Sequence, residues 1–230
     1  MRPDPSLTIL VPVYNEEKTA VKALREIVDV DTGAEREVIV IDDGSTDGTA
    51  RMLAEQSWPD QVRFLSHAEN RGKGAAIQTG LAAAGCTHTA IMDADLEYDP
   101  GDLGKLMAAV AEGHEVVFGT RAFEAHSAHS FWYVIGNRFV TQFGNVLFNC
   151  WLSDMMTCHK LLPTDLFRSL ELRENGFAIE AEITARLLRR HAPIYEVPVA
   201  YEARSREEGK KLTATDGFRV LRTLVRCRFS

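Results

Sequence analysis

Over the first 120 residues, short runs rich in β-branched side chains alternate with longer amphipathic stretches. The runs Leu7–Val13, Glu37–Ile41, Val62–His67, His88–Met92 and Val116–Gly119 read as strands. Helical spacing fills the gaps at about Glu17–Val30, Thr46–Gln56, Gly72–Ala84 and Pro100–Glu112. Strands of about five residues separated by helices of ~10–14 predict βαβ units and a mostly parallel sheet, an α/β fold flanked by helices. Ligands of such sheets bind beyond the carboxyl ends of the strands. Here those ends are polar: Tyr14-Asn15-Glu16, Asp42-Asp43-Gly44-Ser45, Asp93-Ala94-Asp95 and Gly119-Thr120-Arg121.

After Arg121 the alternation stops. Phe131–Leu152 predicts a long helix, with Trp132, Ile135, Phe139, Phe143 and Val146 on one stripe and Arg138, Gln142, Asn145 and Asn149 on the other. Its aromatics cover too wide an arc for one buried face, which adds a lipid contact or a homodimer contact to ordinary packing. A second helix is expected at about Ala178–Arg190, then a strand at Ile194–Tyr201 and a charged loop at Arg204–Lys211. The last helix, near Thr213–Arg226, sets Phe218, Leu221 and Val225 against Arg219, Arg222 and Arg226. With no repeat or linker, one domain spanning residues 1–230 is expected, with a ligand-binding half over 1–121 and a second half over 122–230.

Composition narrows the function. A chain of 230 residues, 45% apolar and 26% charged, builds a real core, which excludes intrinsic disorder. The net charge of −7 argues against nucleic acid as a partner. From Arg186 onward, however, 11 basic residues face 5 acidic ones, leaving 15 against 28 before it. An acidic body with a basic end suits a phosphate-bearing ligand or an anionic membrane surface. Cys86, Cys150, Cys158 and Cys227 form no C-x-x-C pair, so neither a zinc site nor a disulfide framework is expected, in keeping with a reducing cytoplasm. No signal peptide and no uninterrupted apolar run of ~18 residues is present, so membrane attachment would be peripheral.

Asp93 and Asp95 are the sharpest chemical signal. Two carboxylates two residues apart, directly behind an apolar strand, point into the expected crevice, where a hard cation such as Mg2+ or Mn2+ would take oxygen ligands and bridge to phosphates. Read alone, such a pair is more often a turn and a helix cap, and its position behind a buried strand reverses that preference. In Asp42-Asp43-Gly44-Ser45, Gly44 permits a sharp turn, leaving one acid to accept hydrogen bonds from a base or ribose. Tyr14 and Glu16 offer an aromatic face and a carboxylate. Asn70-Arg71-Gly72-Lys73-Gly74 opens a helix whose N–H groups could face phosphate, without the P-loop spacing. The histidines His114, His126, His129 and His159 are scattered and read as surface or packing residues, with no convincing His–Asp pair.

Together, V-P-V-Y-N-E (11–16), I-D-D-G-S-T-D-G-T (41–49), N-R-G-K-G-A-A (70–76), M-D-A-D-L (92–96) and G-T-R (119–121) resemble the inverting family 2 glycosyltransferases of the GT-A fold. D-M-M-T-C-H-K-L (154–161), F-A-I-E-A-E-I (177–183), V-P-V-A-Y (197–201) and R-S-R-E-E-G-K-K (204–211) resemble the dolichol-phosphate mannose synthase and polyprenyl-phosphate glycosyltransferase branch. The resemblance implies that Pro12, Tyr14, Glu16, Ile41 and Asp43 hold the nucleotide, and that Asp93, Ala94 and Asp95 contact the sugar-diphosphate. It further implies Asp95 as a metal ligand, with Asp93 and Glu97 beside it, and Arg121, Arg204 and Lys210 as cations for the diphosphate and acceptor phosphate. Arg121 joins Asp93 and Asp95 in the catalytic set. Because this chain lacks the basic and hydroxyl residues usual early in the Phe131–Leu152 helix, Arg138 stands as the acceptor-side cation. The implied reaction moves a hexose from GDP-mannose or UDP-glucose to a polyprenyl phosphate, at the inner face of the membrane, with Mg2+ or Mn2+. A charged phosphate acceptor needs no base. A sugar or protein hydroxyl acceptor would need one, with Glu180 and Asp154 as candidates, and a non-catalytic nucleotide-sugar-binding protein is the third reading.

Overall fold

The computed structural model describes residues 4–121, 126–127, 131–203 and 214–230. Its main sheet has seven strands: β1 (Leu7–Val13), β2 (Arg36–Asp42), β3 (Val62–Ser66), β4 (His88–Ile91), β5 (Val116–Thr120), β7 (Lys160–Pro163) and β8 (Ile194–Pro198). The spatial order is β3-β2-β1-β4-β7-β5-β8, and only β7 runs antiparallel to its neighbours. A two-residue strand, β6 (His126–Ser127), pairs with β9 (Tyr201–Glu202).

The inner strands carry apolar side chains on both faces because helices cover both. Leu7, Ile9, Val11, Val38 and Val40 pack with Leu24 of α1 (Ala20–Asp29) and Leu103 and Leu106 of α4 (Asp102–Ala111). Leu10, Ile39 and Ile41 pack on the other face with Ile77 of α3 (Lys73–Ala83) and, further along, Phe167 of α6 (Thr164–Ser169) and Ile183 of α7 (Ile179–Arg189). A third cluster joins α5 (Phe131–Phe148) and α7 to α8 (Ala214–Phe229), while α2 (Thr49–Ala54) adds Leu53 to the first cluster. β7 and β8 lie in the same sheet as β4 and β5, so residues from both halves of the chain build the main sheet.

β1 has β2 on one side and β4 on the other, so the chain reverses its direction of travel across the sheet at β1. Crevices form at such reversals beyond the carboxyl ends. Pro12–Glu16 and Asp93–Asp95 emerge there side by side, tied by the Met92 N–H donating to the Leu10 carbonyl (2.9 Å).

Two expectations are corrected. β7 and α6 are absent from the reading of the sequence, because Lys-Leu-Leu-Pro is too short for any periodicity and opens on a lysine. The α5 helix ends at Phe148, where Asn149 turns left-handed (φ 52°), and does not reach Leu152. Along the apolar stripes of α5 and α8, Ile135, Phe139, Val146, Phe218 and Val225 are exposed, while Phe143 and Leu221 pack against the third cluster. The inward faces are Val140, Thr141, Gly144 and Asn145 on α5, and Val220, Thr223, Leu224 and Cys227 on α8. Asn145 is satisfied there by the backbone of Leu152, accepting its N–H and donating to its carbonyl, both at 2.9 Å. No described helix is long and apolar enough to cross a membrane.

Lys160 is fully buried, its Nζ donating to the Met155 carbonyl (3.0 Å) and lying 4.0 Å from the Phe118 ring centre. Burial lowers its pKa to about 8, against the pull of Glu180 and Asp154. The unfolded chain therefore binds more protons than the folded one between about pH 8 and 10.5, and stability rises with pH across that window. Urea unfolding of wild type and Lys160→Met at paired pH values should show the wild type gaining on the variant through that window. A constant difference would assign Lys160 no protonation cost.

Candidate active site

Two loops wall one side of the crevice. Asn15, left-handed at φ 50°, accepts the Thr46 N–H on its side-chain oxygen (2.8 Å), and its own N–H donates to Ser45 Oγ (3.0 Å). The Glu16 N–H donates to Thr49 Oγ1 (2.9 Å). These bonds fix the half-buried Tyr14 and Glu16 beside the turn after β2, with Pro12 partly exposed behind them.

The neighbouring acids play unequal parts. Asp43 is buried, and its carboxylate accepts the N–H groups of Arg71 (3.0 Å) and Gly72 (2.7 Å) while His67 Nδ1 lies 2.6 Å away. The other nitrogen of His67 lies 2.9 Å from Thr79 Oγ1. A His–Asp pair thus exists, contrary to the reading of the sequence, but it is spent on joining β2 and β3 to α3. Asp42 is the more exposed of the two acids, with Oδ1 accepting the Ser45 N–H (3.2 Å). Ile41 and Ala94 have their side chains in the core, so any ligand contact at either is through backbone.

The N–H groups that open α3 are also taken. Arg71 and Gly72 serve Asp43, while Gly74 (2.7 Å) and Ala75 (3.2 Å) donate to the Asn175 carbonyl. That approach requires glycine: Gly72 has φ 97°, and a Cβ at Gly72 or Gly74 would overlap the backbone of Asn175 or Glu174. The expected phosphate-facing amides of residues 70–74 are therefore occupied by protein.

At the end of β4, Lys73 Nζ lies 2.8 Å from each oxygen of Asp93 and 3.1 Å from Glu180 Oε1. Asp95 Oδ1 accepts the Glu97 N–H (3.0 Å), and Glu97 Oε2 accepts the Tyr201 hydroxyl (2.7 Å). No group of three or more metal-ligating side chains occurs among the described residues, so Asp93, Asp95 and Glu97 do not make a preformed cage. Arg121 forms a two-point pair with Asp154, Nε to Oδ2 at 2.5 Å and Nη2 to Oδ1 at 2.8 Å. Its guanidinium sits 4.9 Å from the Tyr201 ring centre, with Tyr133 also against it. Asn137 donates to the same Asp154 (3.3 Å), so the first turns of α5 line the site. Burial works against ionising Asp154, but Arg121, helped by Asn137 and Lys160, holds that carboxyl below its ordinary range. Arg138 is exposed on the outer side of α5, while Arg204 and Lys210 lie outside the described residues. His159 is buried 4.4 Å from the Tyr98 ring, kept neutral by burial with its pKa near 4, and His114 stacks on Tyr195 at 3.7 Å, packing roles as expected.

The family model described as Glycosyl transferase family 2 matches residues 8–170. The chain belongs to that family. Among the curated relatives of this glycosyl transferase family 2 member is a dolichol-phosphate mannosyltransferase of Pyrococcus furiosus, 25% identical over 224 residues, 96% of this chain and 63% of the relative. The chain thus spans under two thirds of that relative's length. Solved glucosyl-3-phosphoglycerate synthases of Mycobacterium tuberculosis share the GT-A fold. A complex with UDP matches with TM-score 0.73 at 20% identity, covering 98% of this chain and 80% of that one. A complex with Mn2+, UDP and phosphoglyceric acid matches with TM-score 0.72 at 20% identity, covering 98% and 79%.

Lys73, Tyr133, Asn137, Lys160 and Tyr201 were not singled out from the sequence. Lys73 stood inside a quoted motif, but nothing local linked it to Asp93. Asp154→Asn should destabilise the chain by about 3 kcal/mol, since it leaves a buried guanidinium unneutralised. The contribution of a depressed carboxyl is complete above its unfolded pKa of 3.8 and fades as pH falls below that. Urea midpoints should therefore differ widely at neutral pH and converge in acid; equal midpoints at neutral pH would contradict the pair's role.

Proposed function

We propose that the chain transfers a hexose from a GDP- or UDP-linked sugar to a polyprenyl phosphate, inverting the anomeric carbon, with Mg2+ or Mn2+ at Asp95 and Asp93. Tyr14, Glu16 and the acids after β2 receive the nucleotide. Arg121, oriented by Asp154, faces the diphosphate, and Arg138 with Arg204 and Lys210 receives the acceptor phosphate. The Pyrococcus furiosus relative is named for mannosyl transfer and dolichol phosphate, and mycobacterial structural neighbours were crystallised with UDP and Mn2+ or Mg2+.

The donor set fits such a cation. Hard divalent ions take oxygen ligands and commonly only one or two protein carboxylates, the rest coming from water and phosphate. Two acids at a strand end, without a closed cage of three, match that demand. When bound, the ion would stabilise the charge developing on the departing diphosphate.

The state of the candidate bases carries the choice of acceptor. A hydroxyl acceptor must lose a proton to a positioned base. Asp154 is committed to Arg121 and held acidic, while Glu180 is buried behind Asp93 against Lys73. A phosphate monoester, with a second pKa near ~6, arrives already charged and needs neither. Asp95→Ala should abolish transfer to a short-chain polyprenyl phosphate and the extra thermal stabilisation that Mn2+ adds to GDP or UDP, with the fold intact by circular dichroism. Full activity in that variant would remove the mechanism. Activity confined to hydroxyl acceptors would replace the lipid phosphate, and nucleotide binding without turnover on any acceptor would favour a non-catalytic protein.

A lipid acceptor requires a bilayer at the site. The outward apolar faces of α5 and α8, with Phe131, Phe139, Val146 and Phe229 exposed beside Arg219, Arg222 and Arg228, suit peripheral docking. Arg226 contributes less, being paired with Glu174 (2.7 Å). Each exposed arginine would add about 1 kcal/mol at an anionic leaflet. Sedimentation with phosphatidylserine vesicles should be strong at low salt and weak at high salt. It should also fall in the triple variant Arg219→Gln, Arg222→Gln, Arg228→Gln. Absence of binding at low salt would turn the assignment toward a water-soluble acceptor.

A further inference from the structure

We propose that Lys73 is a charge gate on the metal site at Asp93 and Asp95, and that Glu180 sets its strength. This rests on the proposed metal role of those two acids. The Lys73 ammonium stands 2.8 Å from both Asp93 oxygens, where an incoming cation would sit, and 3.1 Å from Glu180 Oε1. Lys73 and Glu180 are 12% and 5% exposed, so solvent screens the trio poorly.

The ammonium cannot easily drift away. Its backbone is held by Gly72 in a left-handed conformation and by the Asn175 carbonyl that receives Gly74 and Ala75. Glu180 is fixed in the first turn of α7 with Oε1 3.1 Å from the Lys73 ammonium. Its influence on Lys73 is chiefly charge on charge. Lys160, buried on the far side, is a second cation acting on Glu180.

Opposite signs follow for two neighbouring substitutions. Removing the Lys73 charge takes away a competitor for Asp93 and should tighten metal binding. Removing the Glu180 charge leaves Lys73 wholly to Asp93 and should weaken it. Lys73 and Glu180 are in this sense positioning residues, acting on the metal through Asp93.

The test is Mn2+ binding to the full chain, read from the electron paramagnetic resonance of free Mn2+ at mildly alkaline pH, with and without UDP or GDP. Lys73→Met should lower the Mn2+ dissociation constant, and Glu180→Gln should raise it, each on the order of five-fold. Lys73→Arg should stay near wild type, and the double variant Lys73→Met, Glu180→Gln should lie between the singles. If Lys73→Met does not fold, the double variant, which removes one charge of each sign, must still bind Mn2+ more tightly than Glu180→Gln. Unchanged affinities, or shifts of both singles in one direction, would overturn the gate and leave the metal site standing. A wild type that binds no Mn2+, or binds it no better than Asp95→Ala, would remove the metal site and the gate together.

Discussion

A carboxylate at the end of a buried strand has a dry core behind it and must be neutralised from within the protein. Asp93 is in that position, and much of the surrounding structure answers it. Lys73 supplies the counter-charge, and Glu180 backs Lys73. Lys160, on the antiparallel strand β7, lies beyond Glu180. On the opposite wall, Asp154 and Arg121 form a second buried pair. The charges alternate from the crevice inward, so that each sits beside one of opposite sign. Lys160 is the least well served, as its depressed pKa shows.

The same constraint explains the contacts that look structural. Lys73 can face Asp93 only if α3 begins where it does, and that start is set by two anchors. Asp43 accepts the amides of Arg71 and Gly72, and the Asn175 carbonyl accepts those of Gly74 and Ala75. The loop carrying Asn175 leads directly into α7 and Glu180. One backbone contact thus sets both the cation and the acid behind it. Asp43 therefore supports the site from below, whether or not it also touches a nucleotide.

What was legible in the sequence was what repeats locally. β1, β2, β4 and β5 announce themselves as apolar runs with polar ends, and the D-A-D carboxylates could be placed in the crevice because strand and turn are contiguous. The missing parts depend on partners distant along the chain. Arg121 meets Asp154 across 33 residues, and Gln78 reaches the Glu174 carbonyl across 96. β7 has a lysine where a buried strand should have an aliphatic residue, and only the alternating charges around it make that tolerable. On α5 the periodicity was legible, but it did not settle which face meets the core. A stripe of Ile135, Phe139 and Val146 ordinarily faces a core, whereas here the core takes Gly144 and Asn145 because the helix must lie close to Met155 and to the Leu152 backbone.

That reversal bears on how the site meets its ligands. The inner face of α5 gives Asn137 to Asp154, while its outer face presents apolar side chains within a few turns of the same residue. A ligand with a charged head and a long apolar tail would meet both surfaces of one helix without crossing the protein. Inside the crevice Asp93, Glu180 and Asp154 are already paired with cations, so none of the three stands unpaired to activate a neutral acceptor. A ligand that brings its own negative charge needs no such activation, and the arginine and lysine side chains around the strand ends are what it requires. The electrostatics of the buried pairs and the exposed face of α5 are thus two separate supports for the proposed phosphate acceptor, and neither feature depends on the other.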